Sequence, residues 1–223
     1  MANLLAAALF FVGIHLFISG TALRDRLAAR LGELPYRGIF SLLSAGGLAW
    51  LVLAYLHARV PQPTPFFAQR QIAAALMLLA WLFVAYGVLT IGPTAVGGER
   101  GIGAAEARGI HRITRHPMLW GFALWAATHL VFNPDPVNLV FFGAFLVLAL
   151  AGPRSIDAKR ARRFGADWAR YARSTSNIPF LAIAQKRNQL KFGELEWWKA
   201  AIGAAVFVLF LTLHTRLFGV PPL

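Results

Sequence analysis

Six apolar stretches dominate this sequence, and each is bounded by charged residues or by glycine and proline. A helix that crosses a bilayer needs about 20 predominantly apolar residues. With 58% hydrophobic and 14% charged residues, the 223-residue chain is too apolar for a soluble domain. The pattern predicts an all-α, polytopic transmembrane helical bundle of about six spans that forms a single domain over residues 1–223. The predicted spans are Leu4–Ser19, Ile39–Leu56, Ile72–Ile91, Leu119–Phe132, Leu139–Leu150 and Ala200–Leu217.

The connections around these spans carry further signals. The fourth and fifth spans are separated only by the NPDP sequence of Asn133–Pro136, which predicts a tight helical hairpin. No Lys or Arg precedes Arg24, so the first stretch lacks the positive region of a secretory signal and is predicted to remain as an uncleaved span. Six spans place both termini on the same side of the membrane.

The basic residues lie almost entirely on alternate loops, which predicts the orientation of the bundle. Of 22 Lys and Arg, four lie in residues 21–38, four in 92–116 and eleven in 153–199, against three elsewhere. Because basic loops stay in the cytoplasm, both termini are predicted to be periplasmic, in a bacterial inner membrane. The net charge of +13 then reflects topology and attraction to anionic lipid headgroups. No nucleic-acid-binding module is indicated, and the protein partner stays open.

The third basic segment has the pattern of an amphipathic helix. In RSIDAKRARRFGADWARYARSTSNIP, apolar side chains recur on one helical face while lysines and arginines cover the others. The apolar positions are Ile156, Phe164, Trp168 and Tyr171. This arrangement predicts a cytoplasmic interfacial helix over residues 154–173, with its apolar face toward the membrane or the bundle.

Two histidines, His15 and His129, lie well inside predicted spans, where an imidazole facing lipid is costly, whereas His214 lies near the end of the last span. The chain has no cysteine, so a metal would have to bind His, Asp, Glu or Met. Two interpretations stay open: hydrogen bonds between helices, or haem ligation by imidazoles from facing helices. Counted along the helices at 1.5 Å per residue, the two side chains differ in depth by roughly 10 Å. That offset counts against both ligating one iron.

The sequence ITRHPMLWGF places Arg115 and His116 directly before an apolar helix that begins at Pro117. One interpretation is an anchor at the cytoplasmic membrane surface. The other is a pocket between these two side chains, Asp157 and the glycine-rich segment 92–117, where an arginine and an imidazole could bind a carboxylate. Asp157 itself lies among basic residues, so a surface ion pair is the alternative explanation for it.

Three stretches together resemble the NnrU family of bacterial inner-membrane proteins, in the same order and over nearly the whole chain. They are GIHLFISGTALRDRLAARLGELPYRGIFSLLSAGGL, RHPMLWGFALWAATHLVFNPD and IDAKRARRFGADWARYARSTSNIPFLAI. The family is similar in turn to the zeta-carotene isomerases, integral membrane enzymes that carry haem b. The resemblance implies haem b as a cofactor, with His15 and His129 at the matching positions. Ala126 stands where the isomerases have a cysteine.

A more distant resemblance concerns membrane methyltransferases of the isoprenylcysteine carboxyl type. RHPMLWG is similar to their RHPxYxG signature, and RFGADWARYARSTSNIP to a later element of theirs. This resemblance implies S-adenosylmethionine as the cofactor, held by Arg115, His116 and Asp157. Leu119 replaces the signature tyrosine.

The resemblances therefore imply three classes of function. The first is a haem-binding NnrU-family protein with a redox or isomerase-like role, linked by the family name to nitrite and nitric oxide reduction. The second is a methyltransferase-like membrane enzyme. The third is a non-enzymatic membrane assembly factor in which the histidines are structural.

Overall fold

The computed structural model describes residues 1–59, 67–95, 97, 98, 102, 106–219 and 222. Parts of the glycine-rich segment, including Arg100, lie outside the described residues. Within them the chain is helical and contains no strand. The α-helices are α1 (Ala2–Gly13), α2 (Ala22–Leu31), α3 (Glu33–Ala58), α4 (Phe67–Leu89), α5 (Ile110–Ile113), α6 (Pro117–Phe132), α7 (Pro136–Ser174), α8 (Leu181–Ala184) and α9 (Trp197–Phe218); Ile14–Ser19 form a π-helical turn and Phe192–Glu194 a 3₁₀ turn.

Five segments of the described chain are long and apolar enough to cross a membrane. They are Ala2–Ser19, Glu33–Ala58, Gln69–Leu89, Pro136–Ser174 and Trp197–Phe218. The sixth predicted span is α6, whose 16 residues cover about 24 Å at 1.5 Å per residue. That length is less than the thickness of a typical hydrocarbon core, about 30 Å. The all-α, polytopic bundle is confirmed, with α6 as a shorter apolar helix.

The predicted hairpin between α6 and α7 is present. Asp135 caps α7, because its Oδ1 accepts the N–H groups of Val137 at 2.9 Å and Asn138 at 3.0 Å. Pro136 occupies the first turn of α7, where a backbone N–H would have no intrahelical acceptor, so its absence in proline costs no hydrogen bond. The two helices then pack against each other along their length.

The helices pack as a chain of neighbours: α9 against α4, α4 against α6, α6 against α7, and α7 against α1, which also contacts α3. Small residues allow close approach. A Cβ at Gly121 of α6 would lie 2.8 Å from the Ala80 carbonyl oxygen of α4, so only glycine permits this contact. The main core joins α1, α3, α6 and α7 through Leu4, Phe11, Leu51, Ala126 and Phe141.

The predicted interfacial helix is the second half of α7, which continues directly from the fifth span. It differs from the prediction because the helix breaks at Gly165, where φ is 46° and ψ is −115°. Trp168 and Tyr171, beyond the break, are buried, as the amphipathic pattern predicts, and Phe164, directly before it, is half-buried. The reversal turns this apolar face back onto the bundle.

Candidate functional site

Arg115 and His116 lie in a short extended segment between α5 and α6. Thr114 ends α5 with extended dihedral angles, and Pro117 takes the first position of α6. The Arg115 N–H donates to the Ser176 carbonyl oxygen at 2.9 Å. This bond ties the segment to the chain that follows α7, so both side chains extend from a backbone held on two sides.

Both side chains converge on Asp157 of α7. The Arg115 Nε donates to Asp157 Oδ2 at 3.0 Å and to Oδ1 at 3.2 Å, and its Nη2 also donates to Oδ2. The His116 Nε2 lies 2.7 Å from Asp157 Oδ1. The Trp168 ring faces the guanidinium, with 5.9 Å between its centroid and Arg115 Cζ. The approach of Arg115, His116 and Asp157 predicted from two separate motifs is therefore present.

Burial decides the charge balance of this cluster. The His116 side chain is 1% exposed, and burial lowers its pKa, while the hydrogen bond with Asp157 offsets part of that effect. At neutral pH the imidazole is therefore neutral and donates its Nε2–H to Asp157. The Arg115 guanidinium then balances the charge of the carboxylate. Because both carboxylate oxygens are occupied, Asp157 positions the other two side chains.

The predicted shared cavity differs from the observed one. A cavity of about 810 Å³ adjoins the cluster, and Arg115 lines it, but His116 and Asp157 do not. The reason is that Asp157 and His116 bind each other behind the guanidinium, so a ligand in this cavity would meet Arg115.

His15 lies in the π-helical turn at the end of the first span and is half-buried. Its Nδ1 is 2.7 Å from the Phe11 carbonyl oxygen, and its Nε2 has only a 3.5 Å contact with the Ser44 hydroxyl. The rings of Phe11 and Phe40 pack against the imidazole at centroid distances of 4.7 and 5.4 Å. With Nδ1 engaged by a carbonyl, Nε2 is the nitrogen available to a ligand or metal.

The π-helical turn has identifiable causes at its C-terminal end. Gly20 closes it, and a Cβ there would lie 2.3 Å from the Leu16 carbonyl oxygen. The carbonyl of Ser19 accepts from Lys159 Nζ at 2.9 Å, and that of Gly20 from the Ser155 hydroxyl at 3.3 Å. Side chains of α7 thus satisfy carbonyls that a helix end leaves without intrahelical partners. Such π-helical turns are rare in proteins overall, but those that occur are often found at functional sites.

His129 sits in the last turn of α6 and is also half-buried. Its Nδ1 is 2.9 Å from the Trp125 carbonyl oxygen. The imidazole stacks on Phe142 of α7, with centroids 4.2 Å apart and planes 15° apart. Both histidines therefore face neighbouring helices, and both have Nδ1 held by a backbone carbonyl.

The two histidines occupy separate environments at different depths. His129 is level with Phe142, whereas Phe11 is level with Phe145, three residues further along α7. His15 lies four residues beyond Phe11, so at 1.5 Å per residue the imidazoles are offset by roughly 10 Å. Among the described residues, no group of three or more His, Cys, Asp or Glu could hold a metal ion. Ligation by either histidine stays a prediction.

The sequence profile described as NnrU protein matches residues 3–222. The chain belongs to the NnrU family. The match covers nearly the full length, in agreement with the order of the three stretches quoted above. No solved structure matches this NnrU-family chain.

One curated relative of this NnrU-family chain is 15-cis-zeta-carotene isomerase, chloroplastic, from Arabidopsis thaliana. The two are 34% identical over 82 residues. The aligned part covers 37% of this chain and 22% of the isomerase. The similarity therefore involves about a fifth of the isomerase's length.

Sequence reasoning missed an ion pair that fastens the α5 region of this NnrU-family chain. Arg112 Nε donates to Glu194 Oε2 at 2.7 Å and Nη2 to Oε1 at 2.9 Å, and the Gly109 N–H also donates to Oε2. The hydrogen bonds from Arg112, then that from Gly109, lower the pKa of Glu194 to about 2. The partners are 82 residues apart, so no local pattern indicates them.

A second missed group lies where α4, α5 and α9 meet. Lys199 is buried, and its Nζ donates to the Thr90 hydroxyl at 2.9 Å and to Glu196. His111 is 7% exposed, and burial lowers its pKa to about 4. The Glu196–Lys199 spacing of three residues is a signal that could have indicated this pair.

Proposed function

We propose that this chain is a membrane haem protein with an isomerase-like or redox role toward an apolar substrate that reaches it from the bilayer. One observation carries the proposal: His15 lies in a π-helical turn, with Nδ1 on the Phe11 carbonyl and Nε2 in only a long contact with Ser44. Metal-ligating histidines commonly donate their second N–H to a carbonyl in this way. Partial identity to an isomerase in the same family supports the role.

The positions of the two histidines fit a haem b that is held by one imidazole rather than by both. We propose that His15 would hold the haem iron, and His129 is the second candidate, since its Nδ1 is held in the same way. The depth offset of roughly 10 Å disfavours one iron between them. A bound haem would supply an iron centre that exchanges single electrons. Phe11 and Phe40 would hold the His15 ring in place and exclude water from it.

The absorption spectrum of the purified protein tests haem binding. Wild-type protein produced with ample haem should have a Soret band, and His15→Ala should abolish or shift it. His57→Ala is the matched control, because His57 makes the same Nδ1 contact with Leu53 in α3 but is exposed. A wild-type sample without a Soret band would overturn the proposal. A band lost in His129→Ala and kept in His15→Ala would move the ligand to α6.

Isomerase-like activity requires a separate assay. The haem-loaded protein in liposomes should convert a cis polyene, with 15-cis-zeta-carotene as the first compound to try because the relative is named for it. A loaded protein that takes up electrons but leaves the polyene unchanged would restrict the proposal to a redox role. The link to nitrite and nitric oxide reduction would then be the one to pursue.

A second candidate function uses S-adenosylmethionine at the cytoplasmic end of the bundle. The observation in its favour is the hydrogen-bonded cluster of Arg115, His116 and Asp157 beside a cavity. Calorimetric titration should detect binding that Arg115→Gln weakens. Protein that binds neither haem nor S-adenosylmethionine would favour the non-enzymatic assembly factor.

A further inference from the structure

An open cavity of about 810 Å³ lies where α6 begins and the second half of α7 folds back. Its walls come from the start of α6, from α7 and from the segment after α7. The lining residues are Arg115, Arg154, Ala172, Arg173, Thr175, Ser176, Asn177, Ile178 and Arg187. We call this cavity the arginine basin.

The residues that line the arginine basin carry only positive charge, although Asp157, outside the lining, pairs with Arg115. Four of its lining residues are arginines, and no described lining residue is acidic. Arg115 is held by Asp157, and Arg187 Nη1 donates to the carbonyl oxygens of Arg173 and Thr175. These two guanidiniums are therefore fixed by the fold before any ligand arrives.

The remaining two arginines are available. Arg154 and Arg173 are exposed, and within the described part of the chain neither side chain has a hydrogen-bond or ion-pair partner. Two fixed and two movable guanidiniums around one cavity give donors that can close on an anion. Planar guanidiniums bind phosphate oxygens through paired hydrogen bonds.

The break at Gly165 is what assembles the basin. Nineteen residues of a straight helix would place Arg154 and Arg173 about 28 Å apart, yet both line the same cavity. Arg115 lies two residues before Pro117, the first residue of α6, and Arg154 follows the apolar part of α7. The basin thus lies at the ends of the apolar parts of these helices, the level at which lipid headgroups are expected.

We propose that the arginine basin is a binding site for a phosphate-bearing anion. The ligand's phosphate lies among the four guanidiniums, and its uncharged part contacts Thr175–Ile178. Basic pockets between helices at the cytoplasmic face bind anionic lipid headgroups, and a soluble phosphate compound offers the same chemistry. The site is independent of haem, since His15 and His129 do not line it.

Titration of the full chain in neutral detergent tests the proposal and separates the two sources. The probes are inorganic phosphate and dihexanoyl phosphatidic acid, and the variants are the doubles Arg154→Gln/Arg173→Gln and Arg26→Gln/Arg30→Gln. The control removes two exposed arginines from α2, with the same change in net charge. At about 1 kcal/mol per basic residue near an anionic surface, the basin double should weaken binding roughly thirtyfold and the control less than about twofold.

The interpretation depends on which probe binds more tightly and on which double variant weakens binding. Tighter binding of the lipid than of phosphate identifies a headgroup site, and equal or tighter binding of phosphate identifies a soluble ligand. Equal weakening in the two doubles would mean diffuse attraction by net charge and would overturn the site. Failure of both probes to bind the wild type would overturn it as well. Unchanged thermal melts of both doubles would show that the fold is intact.

Discussion

At the start of α6, the Asp157 carboxylate accepts hydrogen bonds from both the Arg115 guanidinium and the His116 imidazole. Replacement by Asn keeps the shape but leaves the guanidinium charge without its partner. We therefore expect Asp157→Asn to lower the free energy of unfolding by about 2 kcal/mol, as for hydrogen bonds to charged groups. The measurement is a thermal or denaturant melt in detergent.

Asp167→Asn provides the comparison for that change. Asp167 pairs with Arg170 on the exposed side of the same helix, with side chains 47% and 63% exposed. Because water screens such a pair, we expect a loss below about 0.5 kcal/mol. Similar losses in both variants would show that the Asp157 cluster stabilises the fold no more than an exposed ion pair does.

Buried His111 predicts a pH dependence of stability. Its pKa of about 4 in the folded protein lies below the ordinary value of 6.5, so the unfolded chain takes up the proton first as pH falls. Stability is therefore complete above about pH 6.5 and decreases toward pH 4, by on the order of 3 kcal/mol. His111→Leu should flatten the melting profile in this window, whereas exposed His57→Gln should not. Parallel wild-type and His111→Leu profiles would contradict the assignment.

At the scale of elements, Gly165 allows α7 to reverse and carry Trp168 and Tyr171 back to the bundle. Its φ of 46° with ψ of −115° is a conformation that other residues adopt only under strain. We expect Gly165→Ala to destabilise the protein by roughly 1–3 kcal/mol. Gly143→Ala, in the regular part of α7 with open space at its Cβ, should be neutral or stabilising. Equal stability of the two variants in the melt would argue against the reversal of α7 at Gly165.

The π-helical turn at His15 is the second irregular element. Gly20→Ala would bring a Cβ against the Leu16 carbonyl oxygen, whereas at Gly13 the nearest side-chain atom, from Phe17, is 4.0 Å away. We expect Gly20→Ala to lower the melting temperature and Gly13→Ala to leave it almost unchanged. Equal melting temperatures would mean that the turn tolerates a side chain at residue 20.

At the scale of the whole molecule, the distribution of basic residues predicts orientation. Nineteen of 22 Lys and Arg fall in three alternate segments, which basic-loop retention places in the cytoplasm. A reporter that fluoresces only in the cytoplasm should be bright when fused after Gly165 and dark when fused after Leu223. The reverse pattern would place the basic face, and with it the arginine basin, on the outer side.

The secondary structure was largely predictable because its determinants are local. Apolar runs locate the helices, the NPDP sequence locates the hairpin, and the apolar spacing of Trp168 and Tyr171 identifies their buried face. Local signals were weaker where a single residue ends a helix. For example, α2 ends before Gly32, whose φ is 88°.

The sequence by itself determined the membrane class, the approximate helices and the residue types that could bind a cofactor, because hydrophobic length and charge distribution act within single segments. Two motifs predicted that Arg115 and Asp157 approach each other, but only the tertiary structure decided their contacts and revealed the Arg112–Glu194 pair. Arg115 and Asp157 are 42 residues apart, and their contact depends on how α6 and α7 pack and rotate. The same packing holds His15 and His129 at different depths, and the single backbone reversal at Gly165 turns scattered arginines into one basin.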